Sequence, residues 1–204
     1  PPDPAAALAA AAEVGYPVVL KVLSADIAHK SDVGGVVLNI ADAEGLHSAA
    51  GTMLARVQAE RPEARIEGFT VQAMVRRAHT QELIVGASID PTFGPVILFG
   101  AGGTSVEVVA DRALALPPLN APLARALVQR TRIARLLAGW RDVPAANGEA
   151  LQGVLIALSQ LLADEPRIAE LDINPLLADA DGVLALDARV RLRRPVPGEP
   201  SRLA

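Results

Sequence analysis

Residues 17–40 read as two strands joined by a loop crowded with reactive groups, and no other stretch restricts the fold as much. Pro17-Val18-Val19-Leu20-Lys21-Val22-Leu23 is an apolar strand, and Val36-Val37-Leu38-Asn39-Ile40 is a second. Between them, Asp26-Ile27-Ala28-His29-Lys30-Ser31-Asp32-Val33-Gly34-Gly35 gathers two carboxylates, an imidazole, an ammonium, a hydroxyl and a glycine pair. Glycine lets the backbone come close to a ligand, exposed N–H groups and lysines supply positive potential, and an imidazole nitrogen can serve as a nucleophile. Such a loop suits phosphate chemistry; the plain alternative is a solvated turn. In the first strand Val18, Leu20 and Val22 point one way and Val19, Lys21 and Leu23 the other. A lysine there either sits at a sheet edge and snorkels or reaches a bound anion.

The C-terminal third carries a second pattern. In Glu170-Leu171-Asp172-Ile173-Asn174-Pro175 the polar residues share one strand face. In residues 183–192, Leu184, Leu186, Ala188, Val190 and Leu192 form the apolar face, leaving Asp187 and Arg189 opposite. Asp179-Ala180-Asp181-Gly182 is the turn. A turn centred between Ala180 and Asp181 sets Asn174 directly across from Asp187, with Cβ atoms about 5 Å apart. Two facing oxygen donors, with the Asp172 carboxylate two residues away, suit a hard cation such as Mg²⁺ that keeps its waters and also binds phosphate. The alternative is an Asn and an Asp that are merely near a turn.

Helices are expected over residues 5–12, capped by Asp3 with Pro4 at its first position and Gly15 at its end, and over 43–59, capped by Asp42. Two more are expected over 121–137, with an arginine-bearing solvated face, and over 149–163, where Leu151, Val154, Leu155, Leu158, Leu161 and Leu162 line one stripe. Strands are expected over 66–75, 82–89 and 96–99, followed by the glycine cluster Gly100-Ala101-Gly102-Gly103. His47 and His79 have no partner motif. The only three phenylalanines, in a chain that is 2% aromatic, leave Ala, Val, Leu and Ile to build the core. At 204 residues, that suits an α+β protein of one core or two modest subdomains.

A net charge of −4 argues against a nucleic-acid surface. The absence of cysteine excludes disulfides, thiol catalysis and cysteine-ligated zinc, and is simplest for a cytoplasmic protein. The alanine-rich start is too short to span a bilayer, so no membrane partner is expected. The chain begins Pro1-Pro2 without methionine, so a fragment of a longer polypeptide is expected.

His-Lys-Ser-Asp-Val-Gly-Gly-Val after a Val-Val-Leu-Lys strand resembles the ATP-grasp domain of NDP-forming acyl-CoA synthetases, relatives of succinyl-CoA synthetase, over residues 15–192. The resemblance implies an α+β ATP-grasp fold, with a small subdomain over 1–74, a large one over 75–192 that carries the metal hairpin, and a linker or frayed tail over 193–204. It implies that the two clamp Mg²⁺ with ATP or ADP. Lys21 and Lys30 would meet phosphate, the backbone at Gln72, Ala73 and Val75 the adenine, and Glu82 the ribose. Gly102 and Gly103, with Glu107 behind them, would lie near the terminal phosphates. Asn174, Asp187 and Asp172 would hold the metal, and His29 would accept the phosphoryl group. Asp172 stands where many relatives carry glutamate. CoA-binding and ligase domains are expected in the same or a partner chain. Residues 113–120 and 171–182 also resemble the synthetase-like region of bacterial protein lysine acetyltransferases, which implies an alternative: a ligand-sensing regulatory module ahead of an acetyltransferase domain.

Overall fold

The Asp3 carboxylate accepts the Ala6 N–H at 2.8 Å and opens helix α1 (Pro4–Val14), which ends at Gly15 with φ 86° and buries Ala7 and Ala11. The computed structural model describes residues 1, 3–27, 30–103 and 110–193, and the chain divides into two compact units, Pro1–Arg76 and Arg77–Ala204. In the first, β1 (Val18–Leu23), β2 (Val36–Ile40) and β3 (Gly68–Ala73) form an antiparallel sheet in the order β2-β1-β3. Helix α2 (Ala43–Glu60), capped by Asp42, lays Leu46, Ala50, Met53 and Val57 against Val18, Leu20, Val22 and Phe69. β1 is the middle strand, which removes the edge explanation for Lys21. β3 is shorter than the expected strand, so Val75 lies beyond it.

The second unit holds a sheet in the order β6-β5-β4-β7-β8, with β9 also pairing to β7. Its strands are β4 (Gln81–Asp90), β5 (Gly94–Ala101), β6 (Arg112–Ala115), β7 (Ile168–Asp179), β8 (Gly182–Ala185) and β9 (Ala188–Leu192). Leu83, Val85, Ala87, Ile97 and Phe99 pack against Leu127, Leu151, Leu155, Leu158 and Leu162 of the helices. Each unit thus centres on one fully buried phenylalanine, Phe69 in the first and Phe99 in the second. No helix among the described residues is long and apolar enough to cross a membrane.

Three expectations need correction. The helix expected over 121–137 is two, α3 (Ala121–Gln129) and α4 (Ala134–Leu137). The break follows from the Asp111 carboxylate, which accepts the N–H groups of Arg132 and Ile133 at 2.7 Å each and so starts the chain on a fresh turn. β6 was not foreseen at all. The apolar face expected on the last strand is largely exposed, with Leu184 at 38%, Val190 at 51% and Leu192 at 54%: β8 and β9 lie at the sheet margin, and in β8 it is Val183 that packs against the core. Helix α5 (Gly148–Asp164), capped by Asn147, matches its expected stripe except that Leu161 is exposed.

At the turn from α5 into β7, the Arg167 side chain donates to both carboxylate oxygens of Glu165, at 2.8 and 2.6 Å. That hydrogen bonding, helped by the Arg167 backbone N–H, holds the Glu165 carboxyl down from 4.5 to about 2. The folded-state value lies below the unfolded one, so the contribution to stability is present above about 4.5 and is lost as pH falls toward 2. NMR titration of Glu165 is expected to show a midpoint near 2, returning toward 4.5 in Arg167→Ala; a midpoint near 4.5 in the native chain would show the pair open in solution.

Candidate functional site

In the first unit, Lys21 lies on the face of β1 turned away from the core, half-buried, with Val36 and Thr70 as its register neighbours. Gln72 faces Val19 on that same side and is exposed, Ala73 faces Val18, and Val75 is half-buried past the strand end. His29 and Ala28 lie outside the described residues. On either side of them Ile27 and Val33 are buried in the small core, an anchorage that no sequence window signalled.

The glycine pair has a local task. Gly34 has φ 66° and donates to the Ser31 carbonyl, while Gly35 donates to the Lys30 carbonyl at 2.7 Å. A Cβ on Gly35 would stand 2.6 Å from Val22 Cγ1 and 2.9 Å from the Lys30 carbonyl oxygen, so only glycine lets the loop close on β1 there. One of the two loop carboxylates is structural: Asp26 accepts the Arg65 N–H at 2.8 Å.

In the second unit the structure brings Glu82, Gly102 and Gly103 together. Gly102 N–H donates to the Glu82 carbonyl at 2.7 Å, and a Cβ on Gly102 would lie 2.9 Å from the Glu82–Leu83 backbone. Gly103, at φ 82°, has the Glu82 Oε2 2.9 Å from the position a Cβ would take. The carboxylate therefore rests over Gly103, where the positive φ is what favours glycine. Glu107 lies outside the described residues.

The hairpin register agrees with the spacing argument. Asp179 pairs with Gly182 and Leu176 with Ala185 on one side, Ile173 with Ala188 on the other, and between them the Asn174 N–H donates to the Asp187 carbonyl at 3.2 Å. Against β4, β7 shifts register between Ile173 and Leu176, a bulge at Asn174-Pro175. The facing strand is interrupted at Leu186-Asp187, which separates β8 from β9 at the level of the proposed metal pair. Leu171 and Ile173 pack on the core, so Glu170, Asp172 and Asn174 face away from it. Asn174 and Asp187 are exposed. Gly86 faces Asp172 across β4 and β7: a Cβ there would stand 3.2 Å from the Leu171 carbonyl oxygen and in ordinary contact, 3.7 Å, with Asp172 Oδ1.

Among the described residues no group of three or more His, Cys, Asp or Glu is placed to hold a metal alone. The donors here are one amide and two carboxylates on an exposed face. That set fits a hard cation that completes its shell with water and phosphate oxygens, and does not fit zinc or an all-protein cage.

The family described as "ATP-grasp domain" matches residues 2–192. The chain belongs to the ATP-grasp domain family. The domain is 42% identical over 182 residues to the acetate–CoA ligase [ADP-forming] I of Archaeoglobus fulgidus, covering 89% of this chain and 26% of that protein. It is 37% identical over 180 residues to the beta subunit of acetate–CoA ligase [ADP-forming] I of Pyrococcus furiosus, covering 88% of this chain and 77% of the subunit. This ATP-grasp chain therefore spans about a quarter of the single-chain ligase and most of the separate subunit. Its fold is similar to that of the dinucleotide-forming acetyl-coenzyme A synthetase 1 of Ca. Korarchaeum cryptofilum solved with coenzyme A and Ca-AMPCP, at TM-score 0.87, 36% identity, 93% coverage of this chain and 82% of that one. The same synthetase has been solved with coenzyme A and Mg-AMPPCP, at TM-score 0.76 and 33% identity.

Proposed function

We propose that this ATP-grasp domain is the nucleotide-handling part of an ADP-forming acyl-CoA synthetase, which interconverts acyl-CoA, ADP and phosphate with a carboxylic acid, CoA and ATP through a phosphorylated histidine. The observation that carries the reading is the Asn174–Asp187 pair, in register on an exposed sheet face with Asp172 one pleat away. The named relatives support it, being ADP-forming ligases, and the related synthetase was solved with a nucleotide analogue and a divalent cation. The acetyltransferase fusion gains nothing from them. A cytoplasmic location belongs to the same reading.

Residues 1–76 serve as the small subdomain and 77–192 as the large one. Lys21, on the face of β1 away from the core, and Lys30, at the loop turn, bind phosphate. Gln72, Ala73 and Val75 meet the adenine through their backbone, and Glu82 accepts from the ribose hydroxyls. Gly102 and Gly103 approach the terminal phosphates, and Asn174, Asp187 and Asp172 hold Mg²⁺. His29 takes the phosphoryl group on an imidazole nitrogen and returns it. When bound, Mg²⁺ supplies the charge neutralisation that phosphoryl transfer chiefly needs. In this reading the CoA-binding and ligase functions belong to the rest of a longer chain or to a partner subunit, which the partial coverage of the relatives supports.

Calorimetric titration of the chain with ATP and ADP is expected to show saturable binding in Mg²⁺ that disappears in EDTA. Binding that is indifferent to EDTA would remove the metal from this reading, and no binding at all would remove the nucleotide.

A further inference from the structure

Three cross-strand pairs follow one another along β7 on the face away from the core: Glu170 with Arg191, Asp172 with Arg189, and Asn174 with Asp187. The first is closed, with Arg191 Nε 3.0 Å from Glu170 Oε2. The third is the proposed metal pair. The middle pair sets a carboxylate opposite a guanidinium in the same register, and opposite charges so placed attract. Yet it stays open: the Arg189 side chain is exposed and makes no hydrogen bond or ion pair with a described residue. Asp172 instead lies over Gly86 of β4 and is engaged with partners of its own.

We propose that Arg189 is a phosphate-contacting residue, its guanidinium receiving the β- and γ-phosphates of a nucleotide whose cation sits at Asn174 and Asp187. The inference rests on the nucleotide reading above. Arg189 follows Asp187 by two residues, so the two side chains leave the strand on one face about 7 Å apart. Charge balance supplies the need. Asp172, Asp187 and a polyphosphate bring several negative charges to one spot, and a single divalent cation cannot offset them. Among the described residues of this unit, Arg189 is the basic side chain in register with that spot that makes no ion pair with another described residue. A guanidinium suits the role because its planar fork matches phosphate oxygens two at a time.

The test is calorimetric titration of the 204-residue chain, which contains both cores, with ATP, ADP and AMP in Mg²⁺, using the native protein, Arg189→Gln and Arg189→Lys. Arg189→Gln is expected to weaken ATP and ADP about 10-fold, the worth of a charge-assisted hydrogen bond, and AMP less than about 2-fold. Arg189→Lys should recover part of the loss. The unfolding midpoint of Arg189→Gln should not move, because the Arg189 side chain makes no hydrogen bond or ion pair with a described residue. Equal ATP affinity in native and Arg189→Gln chains, or an equal loss for AMP, overturns the inference while leaving the nucleotide reading intact. A native chain that binds no Mg-nucleotide overturns both.

Discussion

Replacing Asp179 with alanine is expected to lower the stability of the second unit by about 3–5 kcal/mol, the usual consequence of removing one partner from a buried ion pair. Asp179 is 5% exposed and acidic, which by itself demands compensation. Its carboxylate accepts from Arg77 Nε at 2.8 Å, from the Thr80 hydroxyl at 3.2 Å and from the Asp181 N–H at 3.0 Å. Its own carbonyl accepts the N–H of Asn147, the residue that caps α5. One side chain thus fixes the start of the unit at Arg77, the tight turn into β8 and, through its backbone, the entry to the longest helix of that unit. Asp179→Ala leaves a partly buried guanidinium without its counter-ion and the Asp181 N–H without its acceptor, while the Thr80 hydroxyl keeps its bond to the Arg77 carbonyl. At the scale of a domain this size, the unfolding midpoint should fall by roughly 10 °C. The double variant Arg77→Met, Asp179→Leu is expected to regain much of the loss, since it removes both charges at once. Amide exchange should localise the damage, with protection falling along β7 and α5 and holding in β1 to β3. An Asp179→Ala midpoint within about 1 °C of the native one would mean that the carboxylate is solvated in solution.

Asp179 also marks where the sequence stops being readable. Its neighbours say only "turn", and the turn was read correctly from Asp179-Ala180-Asp181-Gly182, because a two-residue connection and a period of two fix a hairpin's register by local rules. The same locality made the caps legible: Asp3, Asp42 and Gly15 each act within three or four residues of themselves. What those rules do not carry is a partner far away in sequence. Arg77 and Asp179 are 102 residues apart. The split of the expected 121–137 helix is imposed by Asp111, 21 residues before the N–H group of Arg132. β6 is four residues, too few for periodicity to register, and exists because β5 offers an edge. The site divides the same way. The register of Asn174 with Asp187 and the alternation that sends Lys21 away from the core are visible as local patterns. The close approach of the Glu82–Leu83 backbone to Gly102 and of the Leu171 carbonyl to Gly86, each from another segment, is not.

The largest functional effect is expected at Asp187. Asp187→Ala should weaken Mg-dependent ATP and ADP binding at least about 100-fold, because losing an outer-shell partner of a metal ligand already costs about 10- to 100-fold and this residue is proposed to touch the metal itself. Asp187→Asn keeps an oxygen in place and removes the charge, so it should fall between native and alanine, with the gap narrowing as Mg²⁺ is raised. Neither substitution should unfold the chain. Asp187 is exposed at an interruption between β8 and β9, and its carbonyl, which accepts the Asn174 N–H, is a group that any residue supplies. This separates the metal role from a structural one: a structural Asp187 would show its loss in the unfolding midpoint and not in the Mg²⁺ dependence. If both variants bind nucleotide as the native chain does across the Mg²⁺ range, the cation is held elsewhere. The open pair at Asp172 and Arg189 would then be the next face to examine, since Asp172 is the nearest remaining carboxylate on that side of β7.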